Sequence, residues 1–112
     1  MPNESGNALR YALHKGGLHV PEDLERVIAH KVDKVEERLK RYHPDAAGME
    51  IRLAHQEKQN EFDCSIQLSA FRDTLHCRKS APELRVAVDK SFDALMKELD
   101  HYRAKINKSL QS

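Results

Sequence analysis

Basic side chains recur at helical spacing in two stretches of this 112-residue chain. In the first stretch they lie three or four positions apart: Lys31, Lys34, Arg38 and Arg41. In the second, four lysines and one histidine fall in a narrow sector of a helix: Lys90, Lys97, His101, Lys105 and Lys108. Basic rows on a helix contact successive phosphates and release counterions. The pattern equally fits a solvated helix face with ion pairs four residues apart, such as Asp93 with Lys97, so both interpretations stay open.

Histidine and cysteine are the other residues that could support chemistry. No two of the seven histidines lie four residues apart, and no zinc-peptidase motif occurs. His55 and His76 could lie near each other on adjacent strands, but no carboxylate or thiol partner for a zinc site can be identified there. Cys64 and Cys77 lack metal or redox spacing and are predicted to be small buried side chains. We therefore expect no metal, no cofactor and no enzymatic activity, which sets aside a histidine-based metalloenzyme.

Overall charge limits the choice of partner. The net charge is +1, from 19 basic and 18 acidic residues, whereas nucleic-acid-binding domains are often far more basic. An anion-binding surface must therefore come from charges that are segregated on the fold. No apolar run approaches the ~20 residues of a membrane-spanning helix, and the first residues lack the pattern of a secretory signal. We expect a cytoplasmic monomer without a membrane or a small-molecule substrate as partner.

Periodicity divides the chain into four strands and two helices. Alternating apolar residues predict strands over these ranges: Asn7–His14, Met49–Gln56, Glu61–Ser69 and Thr74–Lys79. Apolar residues three and four apart predict helices over Pro21–Tyr42 and Glu83–Leu110. Ser80 followed by Glu83 has the spacing of a capping box for the second helix.

These elements predict an α+β fold, a two-layer sandwich in the order β-α-β-β-β-α. Each strand has one apolar face, so a four-stranded sheet carries both helices on one side and leaves the other side to solvent. Residues 1–112 form one domain, with an ordered core from about residue 7 to 108. Tyr11 and Phe62 are assigned to the core. The solvent-exposed sheet face carries polar residues without aromatics for base stacking: Arg10, Arg52, Gln67, His76 and Arg78.

Five segments carry motifs of one known family: LHVPEDL (18–24), KVDKVE (31–36), FDCSIQL (62–68), RDTLHCR (72–78) and AVDKSFDALMKEL (87–99). In this order they resemble the ribosome hibernation promoting factor family, which includes the ribosome-associated inhibitor and the sigma-54 modulation proteins. The resemblance implies the same β-α-β-β-β-α order, similar to a double-stranded-RNA-binding domain. Because the chain ends soon after the second helix, the resemblance implies a divergent short form, without the C-terminal domain that pairs ribosomes.

The resemblance also implies a function without chemistry. Family members bind the small ribosomal subunit and its rRNA, in the channel of messenger RNA and the A- and P-site transfer RNAs. Such a protein inhibits translation by occlusion during stress. The alternative is a regulatory protein-interaction module of the same fold with a non-ribosomal partner.

The family's basic positions map onto this chain only in part. Lys15, Lys31, Lys34 and Lys97 match basic positions of the family, whereas Ala94 and His101 stand where the family is commonly basic and Arg85 stands where it has tyrosine. Combined with the helical rows, this gives a predicted RNA-binding set: Lys15, Lys31, Lys34, Arg38, Arg41, Lys90, Lys97 and His101.

Overall fold

The computed structural model describes residues 10–42, 48–70 and 73–111, and the surroundings of side chains over 10–39, 48–69 and 74–101. Six elements follow in chain order: β1 (Arg10–His14), α1 (Glu22–Tyr42), β2 (Gly48–Gln56), β3 (Glu61–Ala70), β4 (Asp73–Ala81) and α2 (Leu84–Gln111). The predicted element order is confirmed. Asn7 to Leu9 of the predicted first strand, and Phe71 and Arg72 between the third and fourth predicted strands, lie outside the described residues.

The four strands form one mixed sheet in the order β1-β2-β3-β4. β1 pairs in parallel with β2 because α1 carries the chain back across the sheet, whereas the other two pairings are antiparallel. The turn between β1 and α1 has Gly16 and Gly17 at φ 60° and 79°. A Cβ on Gly16 would lie 2.5 Å from the carbonyl oxygen of Leu53, so this position requires glycine.

One apolar core lies between the sheet and the two helices. The predicted stripe of α1 is buried: Leu24, Ile28, Val32, Val35 and Leu39. The stripe of α2 is buried at Val88, Phe92, Leu95 and Leu99. Alternate strand residues complete this core: Met49, Ile51, Leu53, Cys64, Ile66, Leu68 and Cys77. Tyr42, Tyr102 and Ile106 continue the apolar spacing of the two helices, but their side chains lie outside the described ones.

The helix starts differ from the predicted capping pattern. The carbonyl oxygen of Pro21 accepts hydrogen bonds from the N–H groups of Leu24 and Glu25, so Pro21 precedes α1. At α2 the Glu83 carbonyl oxygen accepts the N–H of Ala87. The prediction that Ser80 caps α2 is wrong, because β4 extends through Ala81 and the Ser80 hydroxyl donates to a carboxylate oxygen of Asp63.

Three further predictions need correction. Tyr11 is not a core residue: its exposed fraction is 42%, because β1 is an edge strand and Tyr11 lines an open cleft beside α1. Phe62 is only partly buried against the core, with its ring 4.7 Å from that of His55. His55 and His76 are not neighbours, because β3 separates their strands and their register positions place them on opposite faces.

Candidate nucleic-acid interface

Two ion pairs join α1 to α2 along one line. Lys31 Nζ lies 3.1 Å from Asp89 Oδ1, and Arg38 forms the second pair with Asp100. Residues 31 and 38 are about two turns apart and residues 89 and 100 about three turns, so each set lies on one side of its helix. The two helices therefore run parallel. We call these four residues the seam.

The seam cations are the more buried partners of their pairs. The exposed fraction of the side chain is 25% for Lys31 and 31% for Arg38, against 42% for Asp89 and 57% for Asp100. The long aliphatic stems pack between the helices while the charged ends meet the carboxylates. A phosphate that contacts Lys31 or Arg38 must therefore compete with a carboxylate of α2.

Other members of the predicted set are exposed: Lys34 on α1, and Lys90, Lys97 and His101 on α2. None of these four forms an ion pair with a residue in the described part of the chain. The three residues on α2 lie within roughly 40° of one another on an ideal helix, at 100° per residue. Among the predicted residues whose side chains the structure describes, Lys34 on α1 and the short basic row of Lys90, Lys97 and His101 on α2 are thus available to a partner.

The remaining predicted residues occupy other surroundings. Lys15 lies in the turn after β1 and forms an ion pair with Glu25 of α1. Arg41 belongs to α1, but its side chain lies outside the described ones, as do those of Lys105 and Lys108.

The structure places the basic residues Lys31 and Arg38 of α1 against carboxylates of α2. Sequence reasoning missed Asp89 and Asp100 as the partners of the first basic row. Asp89 and Asp100 are 11 residues apart on α2, and Lys31 and Arg38 are seven apart on α1. These spacings indicate ion pairs between the helices only once the helices are known to run parallel. The expected pair of Asp93 with Lys97 is not among the ion pairs of the described residues, whereas Arg26 does pair with Glu22 four residues earlier.

The open face of the sheet holds a polar cluster around one carboxylate. Asp63 is only 4% exposed, and its Oδ2 accepts hydrogen bonds from Arg78 at 2.6 Å and Gln56 Nε2 at 2.7 Å. The Ser80 hydroxyl donates to the other oxygen. The hydrogen bond from Ser80, with those from Arg78 and Gln56, outweighs burial and lowers the pKa of Asp63 below its ordinary value of 3.8.

The two thiols are buried between the sheet and the helices. Burial raises the pKa of Cys64 to about 11 and also raises the pKa of Cys77, the opposite of what a nucleophilic thiol needs. Over the described residues, histidine, cysteine, aspartate and glutamate form no group of three or more that could hold a metal ion. Within the same residues, no helix is long and apolar enough to cross a membrane.

Comparison with known proteins decides the family. A model of the Sigma 54 modulation protein / S30EA ribosomal protein family matches residues 12–107. The chain belongs to this family. The match covers nearly all the described elements, and it confirms the resemblance found in the five sequence segments. No curated protein matches the chain.

Two solved structures have the same fold as this chain. The Protein Y N-terminal domain of Thermus thermophilus is 17% identical with a TM-score of 0.65, and the match covers 80% of this chain and 93% of that one. A ribosomal subunit interface protein from Coxiella burnetii is 10% identical with a TM-score of 0.65, over 85% of this chain and 98% of that one. At these identities the likeness shows the fold alone, and it confirms the predicted α+β sandwich.

Proposed function

We propose that this protein binds the small ribosomal subunit and inhibits translation by occluding the sites of messenger RNA and transfer RNA. The family match over residues 12–107 carries this proposal. The described residues offer a cationic surface and no metal cluster, which suits a factor that acts by occupancy and makes or breaks no bond. In this proposal the protein acts as a cytoplasmic monomer.

Attachment to rRNA phosphates is assigned first to the exposed basic residues of the helices: Lys34, Lys90, Lys97 and His101. These side chains lose no ion pair with a described residue when they meet phosphate. Lys15, Lys31 and Arg38 would exchange a carboxylate for a phosphate, which reduces the net gain. Arg41 extends the row of Lys34 along α1 by sequence spacing.

Co-sedimentation with purified small subunits tests the binding step. The full chain should travel with the subunits at about 50 mM salt and be released steeply towards 200 mM, because phosphate contacts release counterions. A Lys34→Glu, Lys97→Glu variant should bind at least about tenfold more weakly, with a smaller salt slope. Lys58→Glu, an exposed lysine of the β2–β3 turn, is the matched control for a single charge reversal. Retention of the double variant at wild-type level would reject the helical surface.

Competition tests the occlusion step separately. Saturating protein should prevent transfer RNA and a leader messenger RNA from binding to the subunit. Simultaneous binding of all three would show attachment at another place and contradict occlusion.

The competing proposal is a protein-interaction module that uses the edge of the sheet. The exposed Tyr11 on the edge strand β1 and the carboxylates of the seam favour it. Such binding would depend little on salt, and small subunits would not retain the protein. The same gradient run at two salt concentrations distinguishes the two proposals.

A further inference from the structure

We propose that the open face of the sheet carries a second phosphate site, formed by Arg52 and Arg78 on either side of Ser65, which binds the sugar-phosphate backbone of RNA. The site lies on the layer opposite the helical cations. The choice of RNA as the partner rests on the proposed function, whereas the site itself rests on the register and contacts of the sheet.

The register places these residues in one row across the sheet. His14 pairs with Arg52, Arg52 with Ser65, and Ser65 with Arg78. Neighbouring strands lie about 4.8 Å apart, so the two arginine backbones are separated by roughly 10 Å with the short Ser65 side chain between them. Side chains of arginine are long enough to converge on one anion across that gap. The neighbouring rows of the open face are formed by Ala12, Glu50, Gln67 and His76 on one side and by Ala54, Asp63 and Ser80 on the other.

Arg78 is held in place by a hydrogen bond to Asp63 on the same face of the sheet. The carboxylate of Asp63 is almost fully buried although its strand position faces solvent, and it accepts one guanidinium nitrogen of Arg78 at 2.6 Å. The Arg78 side chain nevertheless remains 58% exposed. A guanidinium has five N–H donors, so this anchor leaves donors free for an outside ligand. An ordered guanidinium of this kind suits the bidentate recognition of phosphate oxygens.

Arg52 faces a weaker competitor. One of its guanidinium nitrogens lies 2.7 Å from Glu50 Oε1, and His14 Nε2 lies 3.5 Å from the same oxygen. Both members of the Arg52–Glu50 pair are about half or more exposed to solvent, so the pair contributes little. A phosphate above Ser65 can therefore take Arg52 away from Glu50 while Arg78 keeps its contact with Asp63. Arg10 lies two rows away along β1, beyond the row of Ala12 and Glu50, and is not part of this site.

The composition of this face favours the backbone of RNA over its bases. None of the described residues that the register places on the open face of the sheet is phenylalanine, tyrosine or tryptophan, so this face has no platform for base stacking. A protein that fills an RNA-lined channel has RNA on both of its layers. Cations on the helices and on the sheet would then contact opposite walls.

Fluorescence anisotropy with a short, unstructured, labelled RNA tests the site, with small-subunit co-sedimentation measured in parallel. Arg52→Gln with Arg78→Gln should weaken RNA binding roughly tenfold and lower the salt slope by about 2, since each phosphate contact contributes about one unit. Lys58→Gln, a cation outside the row, should leave both nearly unchanged. Loss of Arg78 removes a hydrogen-bond donor from Asp63 and could also lower stability. Two milder variants therefore separate a loss of RNA contacts from a loss of stability. Arg52→Gln alone should lower the slope by about 1, and Arg78→Lys should preserve it.

Each outcome decides the matter. A salt slope of RNA binding that falls in the Arg52→Gln and Arg52→Gln, Arg78→Gln variants, but not in Lys58→Gln, supports the site. RNA and subunit binding that are unchanged in Arg52→Gln and in the double arginine variant, yet lost with Lys34→Glu and Lys97→Glu, overturn the sheet site and leave the proposed function standing. A wild-type protein that binds neither RNA nor subunits overturns the proposed function and, with it, the choice of RNA. Binding of polyglutamate as tight as that of RNA identifies an acidic protein as the partner and overturns the inference.

Discussion

The seam between the helices and the open face of the sheet both pair a basic side chain with a carboxylate, but with opposite burial. At the seam the cation is the hidden partner: Lys31 is 25% exposed and Asp89 is 42% exposed. On the sheet the carboxylate is hidden: Asp63 is 4% exposed and Arg78 is 58% exposed. Burial within the ion pair, rather than the presence of a basic residue, therefore decides whether the cation stabilises the fold or is available to a partner.

The largest expected effect is the loss of the buried carboxylate. Asp63→Ala removes the acceptor of hydrogen bonds from Gln56, Arg78 and Ser80 and should lower the free energy of unfolding by about 2–3 kcal/mol. Asp89→Ala, which removes a half-exposed seam carboxylate, should lower it by about 0.2–1 kcal/mol. Urea unfolding of both variants measures the difference. Equal losses would show that burial within the pair does not matter.

The same carboxylate, that of Asp63, makes the free energy of unfolding depend on pH in a direction that its lowered pKa determines. Because the pKa of Asp63 is lower in the folded state than its ordinary 3.8, its contribution to stability is present above about pH 4 and is lost as pH falls through the folded value. Ser80→Ala removes the largest cause of that lowering and brings the folded pKa nearer to 3.8, so the acid-induced loss of stability should be smaller than in the wild type and complete at a higher pH. Urea midpoints along a pH series, with NMR titration of Asp63, measure it. An unchanged acid limb in Ser80→Ala would contradict the assigned cause.

Charge reversal on α1 separates structural from available cations. Lys31→Glu places a carboxylate against Asp89 and should lower the free energy of unfolding by about 1 kcal/mol, allowing for solvent screening of this partly exposed pair. Lys34→Glu, one turn later and exposed, should change it by no more than about 0.5 kcal/mol. Thermal unfolding of the two variants makes the comparison. If both variants are equally stable, the seam pair is only a surface contact.

The layers of this fold could be predicted from the sequence because they depend on periodicity alone. Ile28 and Val35 fall on the buried stripe of α1 by their spacing, and Ile51 and Ile66 fall on the inner sheet face by alternation. These patterns hold wherever the elements finally pack. These patterns therefore predicted the two helices, the four strands and the one face of the sheet that the helices cover.

Contacts between elements could not be predicted in the same way. The spacing of Lys31 and Arg38 defines a row, but whether that row meets phosphate or Asp89 depends on the rotation of α1 and on the position of α2. Ser80 shows the same limit: its distance from Glu83 fits a helix cap, yet the register places it opposite Asp63 across the sheet. Tyr11 fits the alternation of a strand, but an edge position leaves it exposed.

The smallest effect is also the most specific test of the seam. If rRNA phosphates do engage Lys31 and Arg38, then Asp89 and Asp100 compete for the same cations, and removing their charges should strengthen binding. Asp89→Asn with Asp100→Asn should tighten small-subunit binding about threefold and steepen the salt slope by up to about 2, as the freed cations gain phosphate contacts. Asp23→Asn with Glu57→Gln, two exposed acidic residues away from the seam, corrects for the change in net charge. A gain no larger than that of the control pair would mean that Lys31 and Arg38 keep their structural partners on the ribosome, and that the contacting cations are those on the outer surface of the helices.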